Sequence, residues 1–309
     1  MIRLDEAEVE RRLARVDVAG VVRHALIDAA LGRAGGPVRA AFTTTEGAWF
    51  GAMPAWRSGA SAALGAKLVV AVPSNAERGL PTHRAVVVLF DPRTGEPAAW
   101  IEAEALTRAR TAAASVVATQ ALAVRAHGVH AVLGAGAQAR AHVEAFVRAG
   151  LTERLVLWSR TRELADALAA VARALGAGVR CARDPDDAVR GADVVTTCTA
   201  SAAPLFAARS VADGAHVNAV GACVAAKREL PGALIGAASL VADDVAAARA
   251  EAGDVILAVR EGEATWDGVV ALGDVLAGRV RAREGRVSVF ESLGIGVEDV
   301  AVASAVLAA

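Results

Sequence analysis

Val9, Leu13, Val16, Val21, Val22 and Leu26 recur near helical spacing and predict one or two helices between Asp5 and Leu31. The pattern then shortens. Val38–Thr43, Trp49–Met53, Leu64–Val70, Ala85–Phe90 and Ala98–Ile101 read as strands, separated by turn sequences such as Gly35-Gly36-Pro37, Pro73-Ser74-Asn75 and Asp91-Pro92-Arg93-Thr94-Gly95. Strands joined by such short turns favour a mostly antiparallel sheet. A long Ala-rich helix is expected from Leu106 to about Ala126.

Beyond it, apolar strand candidates alternate with helical stretches. The strands are His130–Leu133, Leu155–Trp158, Val194–Cys198, Val217–Val220 and Leu240–Ala242. The helices are Ala137–Ala149, Arg162–Leu175, Pro185–Arg190 and Ala246–Ala252. Such alternation predicts a parallel sheet covered on both faces. Arg286–Phe290 adds a strand and Val297–Ala308 a last helix. The expected fold class is α/β: a Rossmann-type doubly wound parallel sheet plus a mostly antiparallel α+β domain.

Composition narrows the function classes. Lys and Arg total 33 against 34 Asp and Glu, a formal net charge of −1. That balance provides no basic field for nucleic acid or an anionic membrane. With 55% hydrophobic and 22% charged residues the chain is no disordered segment. The most apolar run, Ala112–Val124, is too short for a membrane span and contains Ser115, Thr119 and Gln120. The amino terminus is charged and lacks a secretory apolar core. Cys181, Cys198 and Cys223 have no metal-ligand spacing and fit a reducing compartment, so a cytoplasmic protein without a bound metal is expected.

The chemistry begins at Val132-Leu133-Gly134-Ala135-Gly136-Ala137-Gln138-Ala139, which follows a strand and opens a helix. Gly134 permits the tight turn, Gly136 lets backbone approach a pyrophosphate, and Ala139 permits close helix–strand packing. The helix start then faces the phosphate charge. After the second strand comes Ser159-Arg160-Thr161-Arg162, with no acidic residue for the ribose 2′-hydroxyl of NAD(H). A hydroxyl and guanidiniums suit a 2′-phosphate, so NADP(H) is preferred and NAD(H) is the alternative.

These residues carry a resemblance. Pro37-Val38-Arg39, Gly65-Ala66-Lys67-Leu68-Val69, Gly79-Leu80-Pro81-Thr82, Arg108-Ala109-Arg110-Thr111-Ala112-Ala113, the glycine loop, Val220-Gly221-Ala222, Lys227-Arg228-Glu229-Leu230 and Glu291-Ser292-Leu293-Gly294 occur in this order. The chain thereby resembles the ornithine cyclodeaminase / mu-crystallin family along almost its whole length. The resemblance implies a substrate-binding and dimerisation domain over residues 1–117 with 287–309, a dinucleotide-binding domain over 118–286, and a homodimer. It also implies hydride exchange between a nicotinamide and a carbon that bears nitrogen beside a carboxylate.

Carried over position by position, Arg39, Lys67 and Arg110 match the groups that hold the substrate carboxylate, with Leu293 also lining the substrate. Lys67 lies inside the apolar run Ala63–Val72 and needs a partner or a path to water. Lys67 and Cys223 are the candidate catalytic residues. Thr82, Arg110, Gly134, Gly136, Ala137, Gln138, Ser159, Arg160, Thr161, Thr199, Val220, Cys223, Lys227 and Ser292 are the candidate cofactor positions. Cyclodeaminases carry an Asp at the place of Cys223, whereas reductase branches carry a small non-acidic residue. The expected activity is therefore reduction of a cyclic or linear ketimine carboxylate, of the pyrroline-2-carboxylate or piperideine-2-carboxylate type, to an amino acid. An ornithine or lysine cyclodeaminase, an alanine-type dehydrogenase and a non-catalytic binding protein are the alternatives.

Overall fold

The computed structural model describes residues 1–282 and 285–309, which form two compact units, Met1–Arg110 with Gly294–Ala309, and Thr111–Leu293. In chain order the first part contains β1 (Ile2–Leu4), α1 (Glu6–Leu13), α2 (Val18–Ala30), β2 (Ala34–Gly35), β3 (Ala40–Thr43), β4 (Trp49–Arg57), β5 (Ala63–Ala71), β6 (His83–Phe90) and β7 (Pro97–Glu102). Helix α3 (Glu104–Leu122) carries the chain into the second unit. There follow β8 (Gly128–Leu133), α4 (Ala137–Arg148), β9 (Thr152–Trp158), α5 (Arg162–Ala174), β10 (Gly178–Cys181), α6 (Pro185–Val189), β11 (Val194–Thr197), β12 (His216–Ala219), α7 (Gly232–Gly236), β13 (Ala238–Ala242), α8 (Val245–Glu251), α9 (Gly253–Arg260), β14 (Val270–Ala271), α10 (Leu272–Leu276) and β15 (Val287–Glu291). Helix α11 (Gly296–Ala308) returns to the first unit.

In the first unit the strands run β1-β7-β6-β5-β4-β2, with β3 paired to β4. All pairings are antiparallel except that β1 lies parallel to β7. Alternation decides which face is covered. Met53, Lys67, Val87 and Ile101 form one cross-strand row and are buried. Helices α2 and α11 supply the core of this unit with Val22, Leu26, Val300 and Val306, all at or below 1% exposure. Each such side chain contributes roughly 1.5–3 kcal/mol by leaving water. The opposite face is apolar too, with rows Pro54-Ala66-Val88-Trp100 and Trp56-Leu64-Phe90. Trp56 is 43% and Leu64 37% exposed.

In the second unit eight strands run β10-β9-β8-β11-β12-β15-β13-β14, all parallel. The order reverses at β8, whose neighbours are β9 and β11, so the loop after β8 emerges at the switch point. Helices α4 and α5 bury Val143, Leu168 and Ala172 against Val132, Leu155 and Leu157.

The structure amends several expected bounds. The Ala-rich helix ends at Leu122 rather than near 126, and β3 begins at Ala40 rather than Val38. Strand β15 pairs with β12 and β13, so residues 287–293 belong to the parallel-sheet unit and not to the carboxy-terminal return at 287. The other crossing falls between Arg110 and Thr111, inside α3, because a continuous helix offers no break in sequence to mark it. The short edge strand β10 and helix α9 were not expected. No helix among the described residues is long and apolar enough to cross a membrane.

Candidate active site

The phosphate loop of the second unit is built by strand-to-helix geometry. Gly134 has φ +118°, and a Cβ there would lie 2.5 Å from the Cys198 carbonyl oxygen, so only glycine fits. Its N–H donates to the Trp158 carbonyl at 2.8 Å, tying the loop to the end of β9. Gly136 caps α4 without a side-chain acceptor, and a Cβ there would meet no protein atom within 4 Å. Packing inside the protein therefore does not demand Gly136, and the space beside it suits a phosphate facing the first N–H groups of α4. Ala137 is exposed, and the Gln138 Oε1 is buried with no partner. An open cradle, an uncapped helix start and an orphaned amide oxygen fit a dinucleotide.

At the end of β9, Ser159 accepts the Thr161 N–H at 3.3 Å, which shapes the turn that presents Arg160. Arg160 and Thr161 are exposed. Arg162 differs from expectation: its Nε donates to Asp166 at 3.0 Å one helical turn on, so it is committed within α5.

Two loops at the carboxyl ends of β11 and β12 carry Thr199, Val220, Cys223 and Lys227. Glu229, which sequence reasoning did not single out as a site residue, joins them. Its carboxylate accepts the Thr199 N–H at 2.6 Å on one oxygen and the Gly221 N–H at 2.8 Å on the other, and it is fully buried. Asp254 in turn accepts the backbone N–H groups of Glu229 and Leu230 at 2.8 and 2.7 Å. Burial pushes the Glu229 carboxyl up from its ordinary value, opposed by those donors, and pushes Asp254 up to about 7. Gly221 must be glycine because a Cβ would strike the Thr199 carbonyl and the Glu229 carboxylate. Cys223 is a half-buried free thiol, Val220 is buried and Lys227 exposed. Ser292 and Leu293, just after β15, are buried, and the Ser292 N–H donates to the Ala219 carbonyl at 2.8 Å. Among the described residues no three His, Cys, Asp or Glu side chains group as a metal site.

In the first unit the basic residues meet buried carboxylates. Lys67 on β5 is 3% exposed, and its Nζ lies 2.9 and 2.8 Å from the two carboxylate oxygens of Asp299 on α11. Arg110 on α3, 5% exposed, donates from Nε to Asp299 at 2.9 Å and from Nη1 to Glu298 at 3.2 Å. Burial pulls the Lys67 ammonium down to about 8, with Asp299 holding it up and Arg110 and Arg39 pressing it down. Burial would raise Asp299, but Arg110 and Lys67 together carry it below the ordinary carboxylate range. Gly294, at φ +75°, permits this arrangement: a Cβ there would lie 2.7 Å from the Arg110 guanidinium carbon. Arg39 is half-buried. Thr82 is half-buried too, its hydroxyl 3.0 Å from His83 Nδ1.

The structure thus brings Lys67 and Arg110 onto one carboxylate, with the charge of Arg39 felt at Lys67. Asp299 and Glu298 were missed at the level of sequence. Their signal was present: an adjacent pair of carboxylates inside the otherwise apolar helix Gly296–Ala308 needs buried partners.

A wholly parallel sheet with a glycine loop at its switch point defines a Rossmann-type nucleotide-binding unit. The chain belongs to the ornithine cyclodeaminase/mu-crystallin family, whose model matches residues 1–308. It is 37% identical over 271 residues to ketimine reductase mu-crystallin of Mus musculus, covering 87% of this chain and 83% of that protein. It is 36% identical over 246 residues to Delta(1)-pyrroline-2-carboxylate reductase of Bacillus cereus, covering 78% and 75%. The structure of Thermococcus litoralis Delta(1)-pyrroline-2-carboxylate reductase, in complex with NADH and L-proline, is similar with a TM-score of 0.93 at 28% identity, covering 99% and 96%.

Proposed function

We propose that this protein is a nicotinamide-dependent reductase of a cyclic or linear ketimine carboxylate, with a substrate of the pyrroline-2-carboxylate or piperideine-2-carboxylate type. The observation that carries the reading is the buried Lys67–Asp299–Arg110 cluster, which keeps two cations in low-dielectric surroundings where a substrate carboxylate would be held strongly. The reduced nicotinamide supplies the hydride when bound. The chain's own part is to fix the carboxylate through Lys67, Arg110 and Arg39 and so orient the neighbouring imine carbon. The glycine loop and Glu229 shape the cofactor's binding surface.

NADP(H) is the preferred cofactor, through Ser159 and Arg160, and the NADH in the Thermococcus relative keeps NAD(H) as the second reading. Reduction is favoured over cyclodeamination because Cys223 stands where the family's cyclodeaminases carry Asp. A cysteine there replaces the carboxylate that those members bring to proton transfer at the substrate nitrogen. The apolar rows around Trp56 and Val88 support a homodimer formed through that sheet face, and Trp56→Glu should yield monomers in sedimentation. The three free cysteines fit a cytoplasmic setting.

Lys67→Met and Arg110→Met test the reading. Each should reduce kcat/KM on a cyclic imino acid by about 2–4 kcal/mol of transition-state stabilisation, the scale of one partner lost from a buried charge pair. Near-wild-type activity in both folded variants would remove the cluster from the site.

A further inference from the structure

Residues 221–230, between β12 and α7, carry Cys223 and Lys227 and form neither helix nor strand. Buried backbone groups in such a segment need partners from elsewhere, and the first turn of α9 supplies several. That helix starts at Ala252 without a side-chain cap, and its Gly253 N–H donates to the Ala222 carbonyl at 3.1 Å. A Cβ at Gly253 would strike the Lys227 and Val224 carbonyls, so the loop lies directly on the helix start. Asp254 completes the docking: its Oδ1 accepts the N–H groups of both Glu229 and Leu230, at 2.8 and 2.7 Å. Its Oδ2 is buried with no partner. The Arg228–Glu261 ion pair ties the same segment to the far end of α9, but it is partly exposed and of small worth beside those contacts.

We propose that Asp254 is a positioning residue for the Cys223 loop, acting through one acceptor oxygen rather than through its charge. The order of dependence runs outward from α9. Asp254 fixes the backbone of Glu229, and the Glu229 carboxylate takes the N–H groups of Thr199 and Gly221. One buried carboxyl on a helix thus sets the placement of Val220, Cys223 and Lys227, and of Thr199 on the neighbouring loop. Its charge is dispensable to this role. The Glu229 carboxylate stands beside Asp254, and Glu291 feels both, so a second negative charge is opposed there. Asparagine keeps the acceptor at Oδ1 and puts an NH2 where the aspartate has its unpartnered oxygen. The proposal rests on the reading of these loops as cofactor surface and adds the residue that holds them.

Alkylation of the purified protein by iodoacetamide, read peptide by peptide in a mass spectrometer, reports the loop directly. Cys223 lies in it, whereas Cys181, at the end of β10, lies outside. Asp254→Ala removes the acceptor and should label Cys223 about fivefold faster than wild type or more, with Cys181 within about twofold. General destabilisation would speed both. The NADPH Kd, from fluorescence titration, should rise about tenfold or more. Asp254→Asn should keep both readouts within about threefold of wild type.

Faster labelling of Cys223 in Asp254→Asn would overturn the proposal, because the charge would then be needed. Unchanged labelling in Asp254→Ala, or an acceleration shared equally by Cys181, would overturn it too. Should the alanine variant not fold, the asparagine variant decides alone: wild-type labelling and NADPH affinity uphold the proposal, and loss of either relative to wild type refutes it. Failure of the wild-type protein to bind NADPH, with the labelling contrast as expected, would instead refute the cofactor reading and leave Asp254 as the anchor of the loop.

Discussion

Glu229 offers the sharpest test of how the parallel-sheet unit holds its cofactor surface, and Glu229→Gln is the perturbation to make. The carboxylate has two acceptor oxygens, each taking a backbone N–H, from Thr199 after β11 and from Gly221 after β12. A Gln side chain of the same size keeps one acceptor and turns an NH2 toward the other N–H. One charge-assisted hydrogen bond is lost, worth about 1.5–3 kcal/mol, and a buried donor is left facing a donor at about 1–3 kcal/mol more. Relief of the carboxylate's burial returns part of this, consistent with the upward push on its pKa. The net expectation is a loss of about 2–4 kcal/mol in unfolding free energy. Because Thr199 and Val220 lie on the loops so joined, NADPH affinity should fall at least tenfold, about 1.4 kcal/mol. Urea denaturation followed by tryptophan fluorescence gives the first quantity, and quenching of that fluorescence by NADPH gives the second. An unfolding midpoint and an NADPH Kd both equal to wild type would refute the assignment of Glu229 as the staple between the loops.

Other expectations follow from single geometric facts. Arg160→Ala should weaken NADPH binding about tenfold, near 1.4 kcal/mol, and leave NADH binding nearly unchanged; equal losses in fluorescence titrations would detach Arg160 from the 2′-phosphate. Gly294→Ala places a side chain at φ +75° against the Arg110 guanidinium, so stability should fall by about 1–3 kcal/mol and imine reduction by tenfold or more, as measured by denaturation and initial rates. His130 is fully buried, hydrogen-bonded to Thr196 at 2.8 Å, and burial pulls its pKa down to about 3. A depressed histidine binds its proton only in the unfolded chain below the ordinary value of about 6.5, so its contribution is lost as pH falls from there toward 3. Between about pH 7 and pH 5 the wild-type protein should lose about 2 kcal/mol more than His130→Leu does, read from parallel urea curves; a pH-independent difference would contradict the burial argument.

Much of the fold could be read because its signals are local. Short apolar runs bounded by turn residues, in Ala63–Ala71 and His83–Phe90, mark strands, and the apolar runs at β8, β11 and β12 alternating with helices mark a parallel sheet. The Gly134–Gly136 loop was legible for the same reason, since φ +118° at Gly134 leaves glycine as the fitting residue. What escaped depends on contacts between distant segments. Lys67 in an apolar run announced the need for a partner, but Asp299 is 232 positions away and could be found only through the packing of α11 on β5. Arg162 looked like a phosphate ligand in sequence, whereas its helical neighbour Asp166 engages it. Edge strand β10, four residues with an exposed Arg180, carries too little alternation to be seen alone.

The measurement that tests the central claim most directly offers the purified protein two substrates side by side. One sample receives NADPH and pyrroline-2-carboxylate, the other ornithine with catalytic NAD. Reduced-nicotinamide absorbance is followed in the first and proline is quantified in both. Steady NADPH consumption with stoichiometric proline in the first sample, and no proline in the second, is the predicted outcome for a site with Cys223 in place of a carboxylate. Rapid proline formation from ornithine, with no NADPH consumed on the cyclic imine, would contradict the account and make the protein a cyclodeaminase.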